Sequence, residues 1–313
     1  MPLTPNYSQA STSPKDDLFR PYQPDNFDDF WRETLEEVNG AQLDFTRGDK
    51  NIYRLQGFFV NSLDFRGIKG NKLYGWIAIP EEGGEPIPAF LWIPPYGREG
   101  SIPNPYTTRP GFVSLSFNLH GFPAFYRESY EPSRGYFAQG ISDPHTWVFR
   151  EIAQNCMLAI RALAAQPEAD ETRIGAMGIS QGGGIALWLS WLSSYIRVVA
   201  ADLPFLAAMR EVFNKKIYRY PLKEVTDYMD SHSLDKEIVL RTISYFDTVN
   251  HASKIEIPVQ ISYGKKDPAC KPENVRAIYD ALQCEKRLIV YEGGHDYDSS
   301  MITNNLEWFK AHL

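Results

Sequence analysis

The sequence predicts an α/β domain in which a mostly parallel, twisted sheet is flanked by helices. Two observations support this fold class. From residue 89 to the end, short apolar runs alternate with amphipathic helical patterns, which is typical of parallel strands joined by helical crossovers. Before them, the alternating runs 53–65 and 72–79 are separated by the turn-rich residues 66–71 and predict an antiparallel N-terminal hairpin.

The N-terminal part of the chain divides into an arm and a helix. Residues 1–24 are rich in Pro, Ser, Thr and Asp, and we expect a loosely attached arm there. The first helix is predicted from Phe27 to Val38, because apolar residues recur at helical spacing and Asn39-Gly40 provides a stop. Residues 25–313 are predicted to form a single domain.

The middle and C-terminal parts supply the remaining elements. Strands are expected at 89–93, 112–117, 173–179, 198–202, 258–263 and 287–291. Helices are expected from Asp143-Pro144 to Leu163, over 182–191, over 272–282 and from about residue 299. The stretch 203–257 is too long for a plain crossover, and its helical patterns predict a cap insertion over one edge of the sheet.

Composition excludes several classes of function. The net charge of −7 argues against a nucleic-acid partner, and no run of about 18–20 apolar residues predicts a membrane span. The N-terminus lacks the basic and apolar regions of a signal peptide. Three scattered cysteines predict neither a disulfide scaffold nor a zinc cage. We therefore expect a soluble, cytoplasmic protein, with Cys156 on the apolar stripe of its helix as a core residue.

The strongest local motif is Gly178-Ile179-Ser180-Gln181-Gly182, followed by two more glycines. It lies where a predicted strand passes into a predicted helix. This is the setting of a nucleophile elbow, in which small flanking residues let two backbone segments approach while the serine hydroxyl projects above the sheet. Ser180 is therefore the predicted nucleophile.

A serine nucleophile needs a base oriented by an acid, and in folds with this elbow the chain order is Ser, acid, His. Of the six histidines, only His295 follows the last predicted strand in a glycine-rich loop. The others precede Ser180, lie in the predicted cap or stand one residue from the end of the chain. The acid is expected after the preceding strand, where Asp267 lies. The sequence thus predicts a triad of Ser180, Asp267 and His295.

An oxyanion hole requires two backbone N–H groups, one from the residue after the nucleophile and one from the loop after an earlier strand. The first is Gln181. In the second loop, Pro94 and Pro95 have no N–H, so Tyr96 is the first available donor.

Further segments carry a resemblance to a known family. They are the runs 135–144 (GYFAQGISDP), 203–206 (LPFL), 244–250 (SYFDTVN) and 264–270 (GKKDPAC), together with the elbow motif and the helix at 28–31 (DDFW). From about residue 20 to the end, the sequence resembles the acetyl xylan esterase and cephalosporin C deacetylase family, carbohydrate esterase family seven.

The resemblance implies an α/β-hydrolase fold, a Ser–Asp–His triad, and neither metal nor cofactor. It also implies deacetylation of small acetylated sugars or similar alcohols, and assembly of homo-oligomers, since many members are ring-shaped hexamers. Tyr96, Pro204 and the adjacent Phe205 stand where such enzymes shape a small acyl pocket.

The sequence departs from the family pattern at three places. His120-Gly121-Phe122 replaces Arg-Gly-Gln, Asp296 replaces the Glu after the catalytic His, and Pro95 replaces a His of the oxyanion loop. Because the Arg and Glu are thought to brace each other, we hypothesise that His120 and Asp296 form a substitute pair.

The function predicted from the sequence is a serine esterase that hydrolyses short-chain acetyl esters of small alcohols or sugars through an acyl-enzyme. Three alternatives stay open. The acyl group could pass to another alcohol or amine, as in an acyltransferase, or the substrate could be a larger, non-sugar acyl ester. The chain could also be a non-catalytic ligand-binding protein of this fold. A peptidase is disfavoured, because no large gating domain precedes the hydrolase part.

Overall fold

A computed structural model describes residues 22–50, 53–82, 84–127 and 135–313 of the chain. The predicted arm, 1–24, therefore falls almost entirely outside the described residues. Ten strands of the described part form one mixed sheet. They are β1 (Phe45–Lys50), β2 (Phe58–Arg66), β3 (Lys72–Leu73), β4 (Gly75–Pro80), β5 (Ile87–Ile93), β6 (Val113–Phe117), β7 (Ala169–Ile179), β8 (Ile196–Asp202), β9 (Val259–Gly264) and β10 (Lys286–Tyr291).

Helices cover both faces of this sheet. Those of the described residues are α1 (Phe27–Gly40), α2 (Val148–Ala164), α3 (Gln181–Leu192), α4 (Met209–Phe213), α5 (Leu222–His232), α6 (Lys236–Ser244), α7 (Thr248–Ala252), α8 (Pro272–Ala281) and α9 (Ser300–His312). None of these helices is long and apolar enough to cross a membrane.

The sheet order is β1-β2-β4-β6-β5-β7-β8-β9-β10, with β3 paired to β2. The pairings from β1 to β6 along this order are antiparallel, and those from β6 to β10 are parallel. The antiparallel N-terminal hairpin and the parallel continuation agree with the sequence prediction. Because β5, β7, β8 and β9 run parallel, their carboxyl ends meet at one edge of the sheet, where ligands bind in folds of this kind.

The central strands are buried because helices cover both of their faces. β6 has all five of its residues buried, and α3 is apolar almost all round, as expected for a helix enclosed by other elements. The predicted core residue Cys156 lies on α2 with no exposed surface. Outside α2 lies α1, which is held by the paired hydrogen bonds of Arg150 to the Glu37 carboxylate, both 3.0 Å.

Two local predictions were wrong. The second helix begins at Val148 rather than at Asp143-Pro144. Asp143 does cap, since its Oδ1 accepts from the His145 amide at 2.8 Å, but it closes a separate turn. Trp147 then takes an extended conformation (ψ 130°), and its buried indole donates to the Phe137 carbonyl at 2.6 Å. The strand predicted from residue 53 begins at Phe58, and β1 was missed.

Helices α4 to α7 lie between β8 and β9, in the stretch predicted to be a cap insertion. Its division from the rest of the domain stays a prediction. The insertion is packed through Asp247, whose carboxylate accepts from the Ala208 amide at 3.0 Å and the Met209 amide at 2.7 Å. The same side chain caps α7 by accepting from the Val249 amide. One buried carboxylate thus fixes both ends of the insertion near each other.

Candidate active site

The strand–helix turn at Ser180 has the geometry of a nucleophile elbow. Ser180 lies between β7 and α3 with φ 55° and ψ −118°, a region that residues other than glycine rarely adopt. The strained turn is held on both sides, because the Ser180 amide donates to the Asp202 carbonyl and the Ser180 carbonyl accepts from the Phe205 amide, each at 2.9 Å. Such strain persists only where its surroundings over-determine it.

The flanking glycines are required by close backbone approach. A Cβ on Gly178 would lie 2.5 Å from the Gly182 carbonyl, and a Cβ on Gly182 would lie 2.0 Å from the carbonyl oxygen of Ile93. Those contacts let α3 begin directly against β5. The serine is therefore presented at the helix N-terminus, where the backbone favours negative charge.

The structure brings together all three side chains predicted as the triad. His295 Nε2 lies 2.9 Å from Ser180 Oγ, and His295 Nδ1 lies 2.7 Å from Asp267 Oδ2. With the carboxylate accepting at Nδ1–H, the lone pair of Nε2 faces the serine hydroxyl and can accept its proton. Ser180, Asp267 and His295 come from the loops after β7, β9 and β10, all at the carboxyl edge of the sheet.

Asp267 is held as an acceptor for the imidazole. Its side chain has no exposed surface, and Oδ1 accepts from the Ala269 amide at 2.8 Å and the Cys270 amide at 2.9 Å. These bonds satisfy the oxygen that does not face His295, as a buried carboxylate requires. His295 keeps 28% of its side-chain surface exposed, so that it can reach a substrate.

The two residues predicted to provide oxyanion donors lie on either side of the elbow. Gln181 opens α3, and Tyr96 lies in the loop after β5. Within the described part of the chain, no protein acceptor takes the backbone N–H of either residue. Neither N–H group is therefore committed to another part of the described protein.

A cavity of about 630 Å³ opens over Ser180 and His295. Tyr96 and Phe205, two of the residues predicted to contact substrate, line this cavity. The third, Pro204, is not among its lining residues. Pro204 is buried behind the elbow instead, where its Cα lies 3.2 Å from the position that a Cβ on Gly183 would take.

Comparison with known proteins places this geometry in a family. The family model of the acetyl xylan esterases (AXE1) matches residues 17–313. The chain belongs to the acetyl xylan esterase family. Among curated relatives, the acetyl esterase Axe7A of Xylanibacter ruminicola is 24% identical over 288 residues. The alignment covers 88% of this chain and 64% of that relative, so the chain spans just under two thirds of its length.

Solved structures of acetyl xylan esterases have the same fold. That of Paenibacillus sp. R4 superposes with a TM-score of 0.83 at 24% identity, covering 96% of this chain and 100% of the other. Acetyl xylan esterase 1 of Thermoanaerobacterium sp. JW/SL YS485 gives 0.81 at 23% identity, covering 95% and 98%. These neighbours confirm the predicted α/β-hydrolase fold.

The substitute pair hypothesised for this family member is not formed. Within the described residues, no hydrogen bond or ion pair joins His120 to Asp296. His120 lies instead between its own loop and the loop after β5: Nδ1 accepts from the Phe122 amide at 2.9 Å, and Nε2 lies 3.2 Å from the Glu99 carbonyl oxygen. The loop that carries the family's Arg-Gly-Gln position is thus joined here to the loop after β5.

Sequence reasoning missed two polar residues beside the site. Glu224 of α5 lines the cavity and accepts from the Tyr96 hydroxyl at 2.5 Å. Tyr136 hydrogen-bonds the side chain of Gln181 at 3.0–3.1 Å. Tyr136 stands in one of the runs that carry the family resemblance. Glu224 has no local motif that could have indicated it, because it is 128 residues from its partner Tyr96.

One group of side chains in the described residues has the proximity of metal ligands. The ligand atoms of Asp267, Cys270 and His295 lie within 4.8 Å of one another. Two of them belong to the hydrogen-bonded triad. Burial, together with the nearby charge of Asp267, raises the pKa of the Cys270 thiol well above its ordinary value, so Cys270 is a protonated thiol and a weak ligand.

Proposed function

We propose that this chain is a serine esterase that hydrolyses acetyl esters of small alcohols or sugars. One observation carries the proposal: the hydrogen-bonded series Asp267–His295–Ser180 ends at a cavity, in a member of the acetyl xylan esterase family. A relative of this chain is an acetyl esterase, which supports acetyl as the acyl group. The intact triad disfavours the reading as a non-catalytic binding protein.

The reaction follows from the positions of these side chains. Ser180 Oγ attacks the ester carbonyl carbon while its proton passes to Nε2 of His295. Asp267 holds the imidazole in the required tautomer and stabilises the imidazolium. His295 then gives the proton to the departing alcohol, which leaves an acetyl group on Ser180. Water enters, gives a proton to His295 and attacks the acetyl-enzyme, and acetate leaves as Ser180 regains its proton.

We assign the developing negative charge to an oxyanion hole formed by the backbone N–H groups of Tyr96 and Gln181. Their lack of protein acceptors supports this role. Preorganised donors of this kind stabilise the tetrahedral intermediate more than the substrate, because the charge appears only there.

The cavity supports a substrate of modest size. Its volume of about 630 Å³ lies in the range of small-molecule sites and can hold an acetylated sugar. The lining includes Phe205, whose amide bonds the Ser180 carbonyl, and the polar residues Arg98, Asn104 and Tyr220. Aromatic surface with a few polar groups suits a sugar ring with its hydroxyls.

The test compares p-nitrophenyl acetate, butyrate and octanoate, with wild type beside Ser180→Ala. We expect acetate to be cleaved fastest and the variant to lose about 10³-fold or more in kcat/KM. Acetylated xylose and glucose then serve as substrates, with released acetate as the readout. Equal activity of wild type and variant would contradict the proposal.

Two open alternatives have distinct outcomes in the same assay. Preference for octanoate would favour a larger, non-sugar acyl ester as the substrate. An acyltransferase would release p-nitrophenol faster when a small alcohol or amine is added, and the acyl group would appear on that acceptor instead of as free acetate.

We also propose, on the strength of the family resemblance, that the chain assembles as a homo-oligomer, with a hexamer as the expected form. Its molar mass in solution tests this. The cytoplasmic location expected from the sequence is retained as a proposal.

A further inference from the structure

A hydrogen-bond network lies directly behind the proposed oxyanion hole. At its centre is the carboxylate of Glu224, a residue of helix α5 that is 9% exposed. Oε1 accepts from the Tyr96 hydroxyl at 2.5 Å, and Oε2 accepts from the Phe137 amide at 3.0 Å. Both carboxylate oxygens are therefore hydrogen-bonded, one to the loop after β5 and the other to the segment that begins at Gly135.

Tyr136 extends the network to the second proposed oxyanion residue. Its amide donates to the Tyr96 hydroxyl at 2.8 Å, and its own hydroxyl bonds the Gln181 side-chain amide at 3.0–3.1 Å. The rings of Tyr96 and Tyr136 lie 4.5 Å apart. The side chains of the two residues whose N–H groups form the proposed hole are thus linked through a single tyrosine.

The network is tightly packed around Gly135. A Cβ at this position would lie 1.7 Å from Oε1 of Glu224 and 1.9 Å from the Tyr96 hydroxyl. A side chain at position 135 would therefore separate the Glu224 carboxylate from the Tyr96 hydroxyl. The pKa of the Glu224 carboxyl is raised, because the effect of burial exceeds the lowering by its hydrogen bonds from Tyr96 and the Phe137 amide.

We propose that Glu224 is a positioning residue for the esterase reaction: it fixes the Tyr96 loop, and through Tyr136 the start of helix α3, so that both N–H groups point at the oxyanion. This inference rests on the proposed function. Its physical basis is that transition-state stabilisation by such donors falls steeply when they are displaced by a fraction of an ångström.

The variant that tests this role is Glu224→Gln. Glutamine keeps the size of the side chain but has one accepting oxygen, so it cannot accept from both the Tyr96 hydroxyl and the Phe137 amide. The Phe137 amide can only donate, so the glutamine oxygen must face it and the NH2 group must face the Tyr96 hydroxyl. The Tyr96 hydroxyl then has to change from donor to acceptor and loses its charged partner, which weakens its hold on the loop while the cavity keeps its shape.

We expect Glu224→Gln to lower kcat for p-nitrophenyl acetate by between about 10-fold and 100-fold with KM changed by less than about threefold. A trifluoromethyl ketone, which forms a tetrahedral adduct with a serine nucleophile, should lose affinity by a similar factor. The matched control is Glu237→Gln on α6, whose carboxylate is 66% exposed and pairs with Arg210. The control should retain wild-type kcat, KM and inhibitor affinity.

Other outcomes overturn the proposal. A rise in KM at unchanged kcat would make Glu224 a substrate-binding residue, and unchanged kcat and KM would leave it no part in the reaction. If Glu224→Gln does not fold, Tyr136→Phe decides, since it removes the hydroxyl that bonds the Gln181 side chain and contacts the Gly97 amide, but leaves the bond from the Tyr136 amide to Tyr96. Wild-type kcat in that variant would overturn the inference. Failure of the proposed function itself is distinguishable, because Ser180→Ala would then be as active as wild type.

Discussion

His251 shows how a buried environment fixes the charge of a single side chain. It has no exposed surface and lies among the rings of Trp31, Trp188 and Trp191, with ring centroids 5.1 to 5.8 Å away. Nδ1 accepts from the Trp191 indole at 3.0 Å, and Nε2 lies 3.1 Å from the Tyr245 carbonyl oxygen. The ring is therefore neutral with its proton on Nε2.

This environment predicts a pH-dependent stability. Burial lowers the pKa of His251 to about 3 from 6.5. As pH falls below 6.5, the unfolded chain binds a proton that the folded chain does not, so the free energy of unfolding decreases toward pH 3. The contribution of His251 to the free energy of unfolding should be about 2 kcal/mol smaller at pH 5.0 than at pH 7.5.

Urea unfolding of wild type and His251→Gln at the two pH values measures this effect. The stability difference between the two proteins should shrink at pH 5.0, because the variant lacks the histidine whose protonation destabilises wild type. His232 is exposed, and His232→Gln is the matched control. The stability difference between wild type and this variant should be the same at both pH values. A pH-independent difference for His251→Gln would contradict the assignment.

Some residues of the site could be predicted from the sequence and others could not. Ser180, Asp267 and His295 could be found because each follows a recognisable strand in a loop with its own motif. Glu224 could not, since its partner Tyr96 is 128 residues away and its helix has an ordinary amphipathic pattern. Contacts that depend on the packing of distant segments have no local pattern.

At the scale of elements, the contact between β5 and α3 decides where Ser180 lies. The turn from strand to helix at this residue was predicted correctly, because close backbone approach requires a run of glycines that is visible in the sequence. It failed at Asp143, where a capping residue and a proline indicated a helix start. The buried indole of Trp147, bonded to Phe137, delays that start to Val148. A cap motif shows that a turn can form, but packing decides whether the turn continues into a helix.

We expect Gly182→Ala to damage both stability and activity. Its Cβ would lie 2.0 Å from the Ile93 carbonyl oxygen, so α3 must move away from β5. The free energy of unfolding should fall by at least about 2 kcal/mol, and kcat/KM should fall by at least about 10-fold. Chemical denaturation and the p-nitrophenyl acetate assay measure these two quantities.

A second glycine-to-alanine change, at a position without close neighbours, separates the steric clash at Gly182 from the general effect of such a change. Gly40 ends α1, and a Cβ there meets no atom within 4 Å. Gly40→Ala should change stability by less than about 1 kcal/mol and leave activity unchanged. Equal effects of the two variants would refute the account of the β5–α3 contact.

At the scale of the whole molecule, the antiparallel start and the parallel continuation of the sheet could be predicted, because the change from alternating runs to apolar runs separated by helices is long and regular. Strand β1 was missed, since FTRGDK contains a glycine and three charged residues and has no apolar alternation. It forms through pairing with β2, from Phe45 opposite Phe65 onward. Tertiary pairing overrides weak local propensity at such an edge.

The proposed homo-oligomer makes a prediction at the same scale. Light scattering coupled to size-exclusion chromatography should give six chain masses for the wild-type protein over a tenfold dilution series. Ser180→Ala is the matched control, because loss of the hydroxyl inside the cavity should leave the assembly unchanged. A mass of one chain at every concentration would contradict the proposal.

The insertion between β8 and β9 has a consequence for the ways this chain can diversify. The three triad side chains come from loops of the sheet, whereas one part of the cavity wall, Phe205, Tyr220, Pro221 and Glu224, comes from a continuous segment that begins and ends at neighbouring strands. A segment of this kind can be exchanged between homologues as a cassette. Glu224 restricts the exchange, however: a transplanted segment that lacks a carboxylate at that point would carry a new specificity onto an enzyme with impaired turnover.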